Sequence, residues 1–212
     1  MKRTNVPKKE LILFENNARN RVLRELFKYS DKEYSLSDLA KETNVPKSNI
    51  GDIINNMFEA GAVTIKKLAK IWRIKANQEN KFFIISKIVF NLNYIYQNNI
   101  VEFLNDLYKN PRVIILFGSF RFGRDITGSD IDIAIETGEE VAEGYKVLYL
   151  KQLNEIANNK ANFNFVSNFE KNIGREIQIH IFNRKFKEKI DINVFNNIAN
   201  GIVLSGFLEV NP

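Results

Sequence analysis

Asp130-Ile131-Asp132 stands ten residues after the pair Gly118-Ser119, and a continuous apolar run, Val113–Phe117, leads into that pair. The alternation over residues 130–135 predicts a strand, and carboxylates at i and i+2 of a strand share one face, about 6.6 Å apart along the backbone at about 3.3 Å per residue. Side by side without a counterion they repel, and one pKa rises. A hard divalent cation such as Mg²⁺ resolves that repulsion, because it binds through one or two carboxylates together with substrate phosphates. Two such ions about 3.5–4 Å apart stabilise both the attacking and the leaving oxygen of an in-line phosphoryl displacement. A Gly-Ser turn at the end of a buried strand lets backbone amides and a hydroxyl approach a triphosphate. The segment is no Walker loop, since no Gly-Lys-Ser/Thr follows, and Gly118, Gly123 and Gly128 do not form the dinucleotide fingerprint.

Composition narrows the chemistry from the other side. The chain of 212 residues has no Cys and one His, His180. Disulfides, thiolate metal sites, cysteine nucleophiles, a Ser-His-Asp triad and a multi-histidine zinc site are thereby excluded. The apolar run Phe82–Phe90 is interrupted by Lys87 and falls short of the roughly 20 residues of a membrane span. Leu11–Phe14 is too short for a signal-peptide core, so the expectation is a soluble, cytoplasmic protein. The net charge of +6 is uneven: residues 1–110 hold 19 basic and 12 acidic side chains, residues 111–212 hold 12 and 13. That asymmetry predicts two modules, the basic one facing a polyanion.

The elements that must position these residues fall into three parts: 1–79, a helical linker over 80–110, and 111–212. In the first, Val22, Leu23, Leu26 and Phe27 recur at helical spacing. Ser35 with Asp38 three residues on reads as a capping box. Ile50, Ile53, Ile54, Met57 and Phe58 form an amphipathic stripe that ends at Gly61, and residues 63–75 alternate as a hairpin. The linker carries Ile84, Ile85, Ile88, Val89, Leu92 and Ile95 on one side, then Ile100, Phe103, Leu104 and Leu107 after Asn98-Asn99, and Pro111 stops it. In the last part residues 141–158 read as a helix, Glu176–Phe182 as a strand, and residues 187–200 as a final helix.

The stretch SLSDLAKETNVPKSNIGDIINNMFEAGAV resembles the winged helix-turn-helix of small DNA-binding regulators. The resemblance implies that Lys47, Ser48 and Asn49, at the start of the second helix of the motif, reach base edges in a major groove. It also implies that the basic residues of the wing, Lys66, Lys67, Lys70 and Arg73, meet phosphates of double-stranded DNA. Other winged helices dock proteins instead, and such proteins are commonly homodimers.

VIILFGSFRFGRDITGSDIDIAIE resembles the signature of the DNA polymerase β superfamily of nucleotidyltransferases, and the domain after it is similar to their minimal members. The fold class implied is α+β: a winged helix-turn-helix, a helical linker, and a nucleotidyltransferase fold with a small mixed β-sheet flanked by helices. The activity implied is transfer of a nucleoside monophosphate from an NTP, foremost ATP, to a hydroxyl, with Mg²⁺ or Mn²⁺. Gly118 and Ser119, with Arg121 and Ser129 beside them, would bind the nucleotide, and Asp130 and Asp132 would ligate metal. The family also uses a third carboxylate on a neighbouring strand. Glu176 is the candidate for that role; were Gln178 to hold the position, the third carboxylate would be absent. Minimal members often act as antitoxins beside a HEPN-type protein, which the resemblance offers as a partner. The alternative is a DNA-binding regulator or antitoxin whose second domain binds nucleotide or a partner without turnover.

Overall fold

The computed structural model describes residues 15–68, 71–137, 144–183 and 190–209. The first part opens with helix α1 (Ala18–Lys28), whose amide at Asn20 is capped by the Asn17 side chain at 2.8 Å. A two-residue strand, β1 (Glu33–Tyr34), runs into α2 (Leu36–Thr43) through the capping box expected of Ser35 and Asp38. Asn44 takes the left-handed conformation, φ 49°, that ends α2 and starts the turn into α3 (Lys47–Glu59). Strands β2 (Val63–Leu68) and β3 (Ile71–Ala76) follow, and the sheet order is β1-β3-β2, antiparallel throughout. Leu26, Phe27, Leu39, Ile50, Ile54, Met57 and Ile74 are buried, so the apolar spacings of all three helices face one core.

Two helices lead onward, α4 (Lys81–Gln97) and α5 (Ile100–Leu107), separated where Asn99 adopts φ 55°. The buried face of α4 differs from the expected one. Phe83, Lys87, Phe90, Asn91 and Ile95 are buried, whereas Ile85 and Val89 are exposed. A pattern reading sends Lys and Asn outward. Here Lys87 pairs with the buried carboxylate of Asp125 at 3.2 Å and donates to Ser30 Oγ at 3.0 Å, while Asn91 donates to the Phe120 carbonyl at 2.8 Å. These partners satisfy the polar groups and rotate the helix about its axis.

The second part is a five-stranded mixed sheet in the order β6-β7-β5-β4-β8. Its elements are β4 (Val113–Phe117), the short helix α6 (Gly118–Arg121), β5 (Ile131–Glu136), β6 (Tyr145–Tyr149), α7 (Asn154–Ala157), α8 (Lys160–Ile173), β7 (Ile177–Phe182), α9 (Ile192–Ala199) and β8 (Ile202–Gly206). Strands β5 and β7 are parallel and the other pairings antiparallel. The expected helix over 141–158 is corrected: residues 145–149 form an edge strand, in which Tyr145, Val147 and Tyr149 share a face, and of the described residues in that span only Asn154–Ala157 are α-helical. Aromatic and β-branched residues at alternate positions favour the pleated surface. Residues 138–143, 184–189 and 69–70, which include parts of the predicted helices and Lys70 of the wing, lie outside the described residues. One face of the sheet, with Ile114, Leu116, Ile131, Ile133, Ile177 and Ile179, packs into the large core. The other carries a smaller cluster of Val113, Ile115, Phe117, Ala134, Phe182 and Ile198. No helix among the described residues is long and apolar enough to cross a membrane.

Candidate active site

Gly118 is the pivot between β4 and α6. Its φ is +70°, a conformation that side-chain-bearing residues rarely adopt, and a β-carbon there would lie 2.0 Å from Asp132 Oδ2. Only glycine lets the chain turn against that carboxylate. Asp132 is delivered by β5, whose register sets it opposite Phe117 of β4 on one side and Gln178 of β7 on the other. Because paired residues of neighbouring strands share a face, Asp132, Gln178 and Tyr149, which pairs with Gln178, project from the same side of the sheet.

The loop ahead of β5 is fixed from beneath. Asp125, buried, is held by Lys87 at 3.2 Å and Arg175 at 3.2 Å. Further on, the Thr127 amide and hydroxyl both donate to Asp31 Oδ1, at 2.9 and 2.8 Å, tying the loop to the first part of the chain. Ser129 closes a local turn: its hydroxyl accepts from the Ile126 amide at 2.9 Å and its own amide donates to the Ile126 carbonyl at 3.0 Å. Ile131 then donates to the Glu176 carbonyl at 2.8 Å, which starts the β5–β7 ladder and sets Asp130 at the mouth of the site.

Asp130 and Asp132 form no ion pair with Lys or Arg among the described residues. Partial burial holds the Asp130 carboxyl above its ordinary pKa; the Tyr149 hydroxyl, which donates to Oδ2 at 3.3 Å, opposes that, and the charges of Asp132 and Glu176 add to it. The same Asp130 charge raises the pKa of Tyr149. Beside Asp132, His180 Nε2 stands 3.8 Å from Oδ1 and 3.0 Å from Gln178 Oε1, its Nδ1 is bonded to the Tyr145 hydroxyl, and Phe117 meets the ring edge-on at 4.7 Å. His180 is thus a positioned residue of the site wall. Two carboxylates with no Lys or Arg partner among the described residues are the donor chemistry that a hard divalent cation fits.

Glu176 lines the same cleft as Asp130. It is ion-paired with Lys151, which also reaches Glu170 at 3.3 Å, and the Lys151 pKa is raised chiefly by its bond to Glu176. No three His, Asp or Glu side chains gather as a metal-holding group among the described residues. A cleft of about 390 Å³ opens beside Asp130, lined among others by Ser129, Lys151, Glu170, Arg175 and Glu176. Of the nucleotide-binding candidates, Gly118 and Ser119 adjoin Asp132 through the β4–α6 turn, while the Arg121 guanidinium stacks on Phe122 at 4.2 Å.

The nucleic-acid candidates lie in the first part. Lys47, Ser48 and Asn49 are exposed at the start of α3, with Ser48 Oγ bonded to Asn49 Oδ1 at 2.9 Å. Lys66 and Lys67 are exposed on β2, Lys67 over the Trp72 ring at 4.7 Å, and Arg73 on β3 is paired with Glu33 at 3.4 Å. Sequence reasoning missed Tyr149, Asp125 and Lys87. The first lay inside a predicted helix, the second between Ser119 and Asp130, and the third was read only as an interruption of an apolar run.

A family model described as Polymerase beta, Nucleotidyltransferase matches residues 98–205, from α5 through most of β8. The chain belongs to that family of nucleotidyltransferases. No curated protein and no solved structure matches the chain.

Proposed function

We propose that the chain transfers a nucleoside monophosphate from an NTP to a hydroxyl acceptor, with Mg²⁺ or Mn²⁺ held by Asp130 and Asp132. The observation that carries this reading is Asp132 seated against Gly118, with Asp130 two residues before it and neither paired with Lys or Arg among the described residues, in a domain of this family. Bound there, the cation would supply electrostatic stabilisation of the charge that develops on the phosphates. The protein's own part is positioning. Gly118 lets β4 turn against Asp132, Ser129 fixes the turn that presents Asp130, and Asp125 anchors the loop behind it. Glu176, paired with Lys151 through Oε1, lines the cleft beside Asp130 and is the candidate third carboxylate.

The first part is read as a winged helix-turn-helix that brings the enzyme to double-stranded DNA or to a protein partner such as a HEPN-type protein. Support comes from three helices followed by a hairpin, with exposed Lys47, Lys66 and Lys67. A second reading, nucleotide binding without turnover in a regulator or antitoxin, draws on one specific observation: the residue opposite Asp132 on β7 is Gln178, a neutral amide.

One experiment separates the two. The protein is incubated with each α-labelled NTP and Mg²⁺ or Mn²⁺, with and without candidate acceptors, and both label transfer and pyrophosphate are measured. Transfer that disappears in Asp130→Asn and Asp132→Asn supports the enzyme. NTP binding with no transfer and no pyrophosphate supports the regulator. Transfer that survives both substitutions sinks the site.

A further inference from the structure

The two carboxylates of the site have different neighbours on opposite sides. Asp132 lies against Gly118, on the β4 side, where the triphosphate is read to bind. On the β6 side, Asp130 receives the Tyr149 hydroxyl at 3.3 Å. An in-line displacement puts the leaving and the attacking oxygen on opposite sides of the phosphorus, so the β6 side is where an acceptor hydroxyl must stand. Tyr149 stands there. Its strand is the edge of the sheet, its ring crosses over the β7 position held by Gln178, and the residue is partly exposed. Of the other described tyrosines, Tyr34 is bonded to Glu25, Tyr94 to the Phe169 carbonyl, Tyr96 to the Leu204 carbonyl and Tyr145 to His180, while the Tyr108 hydroxyl is buried without a hydrogen-bond partner.

We propose that Tyr149 is an acceptor of the nucleotidyl group, so that the chain modifies itself on this phenol; the proposal rests on the transfer reading above. In the step, Tyr149 Oη bonds to the α-phosphorus of the NTP and the bond from that phosphorus to the bridging oxygen breaks. Pyrophosphate leaves, and the phenolic proton passes to solvent by way of the Asp130 carboxylate. The product is a tyrosyl phosphodiester of the nucleoside, with no change of oxidation state.

The test uses the full chain, with each NTP and Mg²⁺ or Mn²⁺, followed by intact mass spectrometry, peptide mapping and a pyrophosphate assay. The expected result is a gain of one nucleoside monophosphate per chain, mapped to Tyr149, with an equal amount of pyrophosphate, and its loss in Tyr149→Phe. Independently of turnover, Mn²⁺ added to protein with labelled tyrosine rings should broaden the Tyr149 resonance well before those of Tyr34 and Tyr94. Pyrophosphate release with label on another residue or on an added acceptor, and Tyr149 unmodified, overturns the proposal and leaves the transfer reading standing. Absence of both pyrophosphate and label overturns the two together. A Tyr149 resonance no more sensitive to Mn²⁺ than that of Tyr34 overturns the placement of its hydroxyl at the metal site.

Discussion

Gly118 and Asp132 occupy a single space: the carboxylate fills the volume that a side chain on residue 118 would need, with Oδ2 2.0 Å from the position of its β-carbon. The glycine thus serves two ends, the left-handed turn out of β4 and the placement of a candidate metal ligand. Gly118→Ala forces Asp132 off its position and strains the backbone by about 1–2 kcal/mol. The expected outcome is a fall of at least tenfold in Mn²⁺ affinity, measured by calorimetry, with the chain still folded by circular dichroism. Unchanged Mn²⁺ binding would show that Asp132 does not hold the ion in its present rotamer.

Asp125 is ion-paired with two buried cations, Lys87 and Arg175. Removing it leaves both uncompensated, and breaking a buried pair in this way costs about 3–5 kcal/mol. Asp125→Ala is expected to lose that much in urea denaturation. Lys87→Met should lose markedly less, because Arg175 still faces the carboxylate and the methionine fills the volume of the lysine stem. Equal losses in the two variants would show that Asp125 acts through its loop hydrogen bonds, and that its charge is of little account.

Acid should loosen two points of the fold by the same route. At Asp38 the Ser35 backbone amide, then the Ser35 hydroxyl, hold the carboxylate below its ordinary pKa of 3.8. At Asp31 burial pushes the pKa up, but the two bonds from Thr127 outweigh it and the net direction is down. A carboxylate with a depressed folded pKa adds stability that is complete above its unfolded pKa and is lost as pH falls through the folded one. Thermal melts across that acidic window should therefore drop more steeply for the native chain than for Asp31→Asn or Asp38→Asn. Parallel curves would sink the assignment.

Much of this architecture was legible in the residues themselves, for physical reasons that also mark where legibility stopped. The capping box at Ser35, the break at Asn98-Asn99 and the strand that starts just after Asp130 and carries Asp132 are local signals, set by side-chain-to-backbone bonds and by periodicity. Tyr149 was hidden because a five-residue edge strand with a lysine and a leucine in it also fits a helical spacing, and only its pairing with β7 decides between them. Lys87 was hidden because its burial depends on Asp125, 38 positions away, which no local pattern encodes. The orientation of Glu176 was equally out of reach, being decided by Lys151 on a different element.

The basic hairpin gives a prediction about salt. Each phosphate neutralised on duplex DNA contributes a slope of about −0.9 to the dependence of log affinity on log salt. Lys66 and Lys67 are exposed and Lys67 is held over Trp72, so both are free to meet phosphates at little ordering cost. Arg73 is engaged by Glu33 and must give up that pair before it can do so. Fluorescence anisotropy with a random duplex should show the slope of the Lys66→Ala/Lys67→Ala variant reduced by about 2, and that of Arg73→Ala reduced by clearly less than 1. Glu33→Ala should then strengthen binding in the native background but not in Arg73→Ala. Affinity for the duplex that is independent of salt in the native chain would assign the module to protein docking, since a phosphate-directed surface cannot be indifferent to counterions.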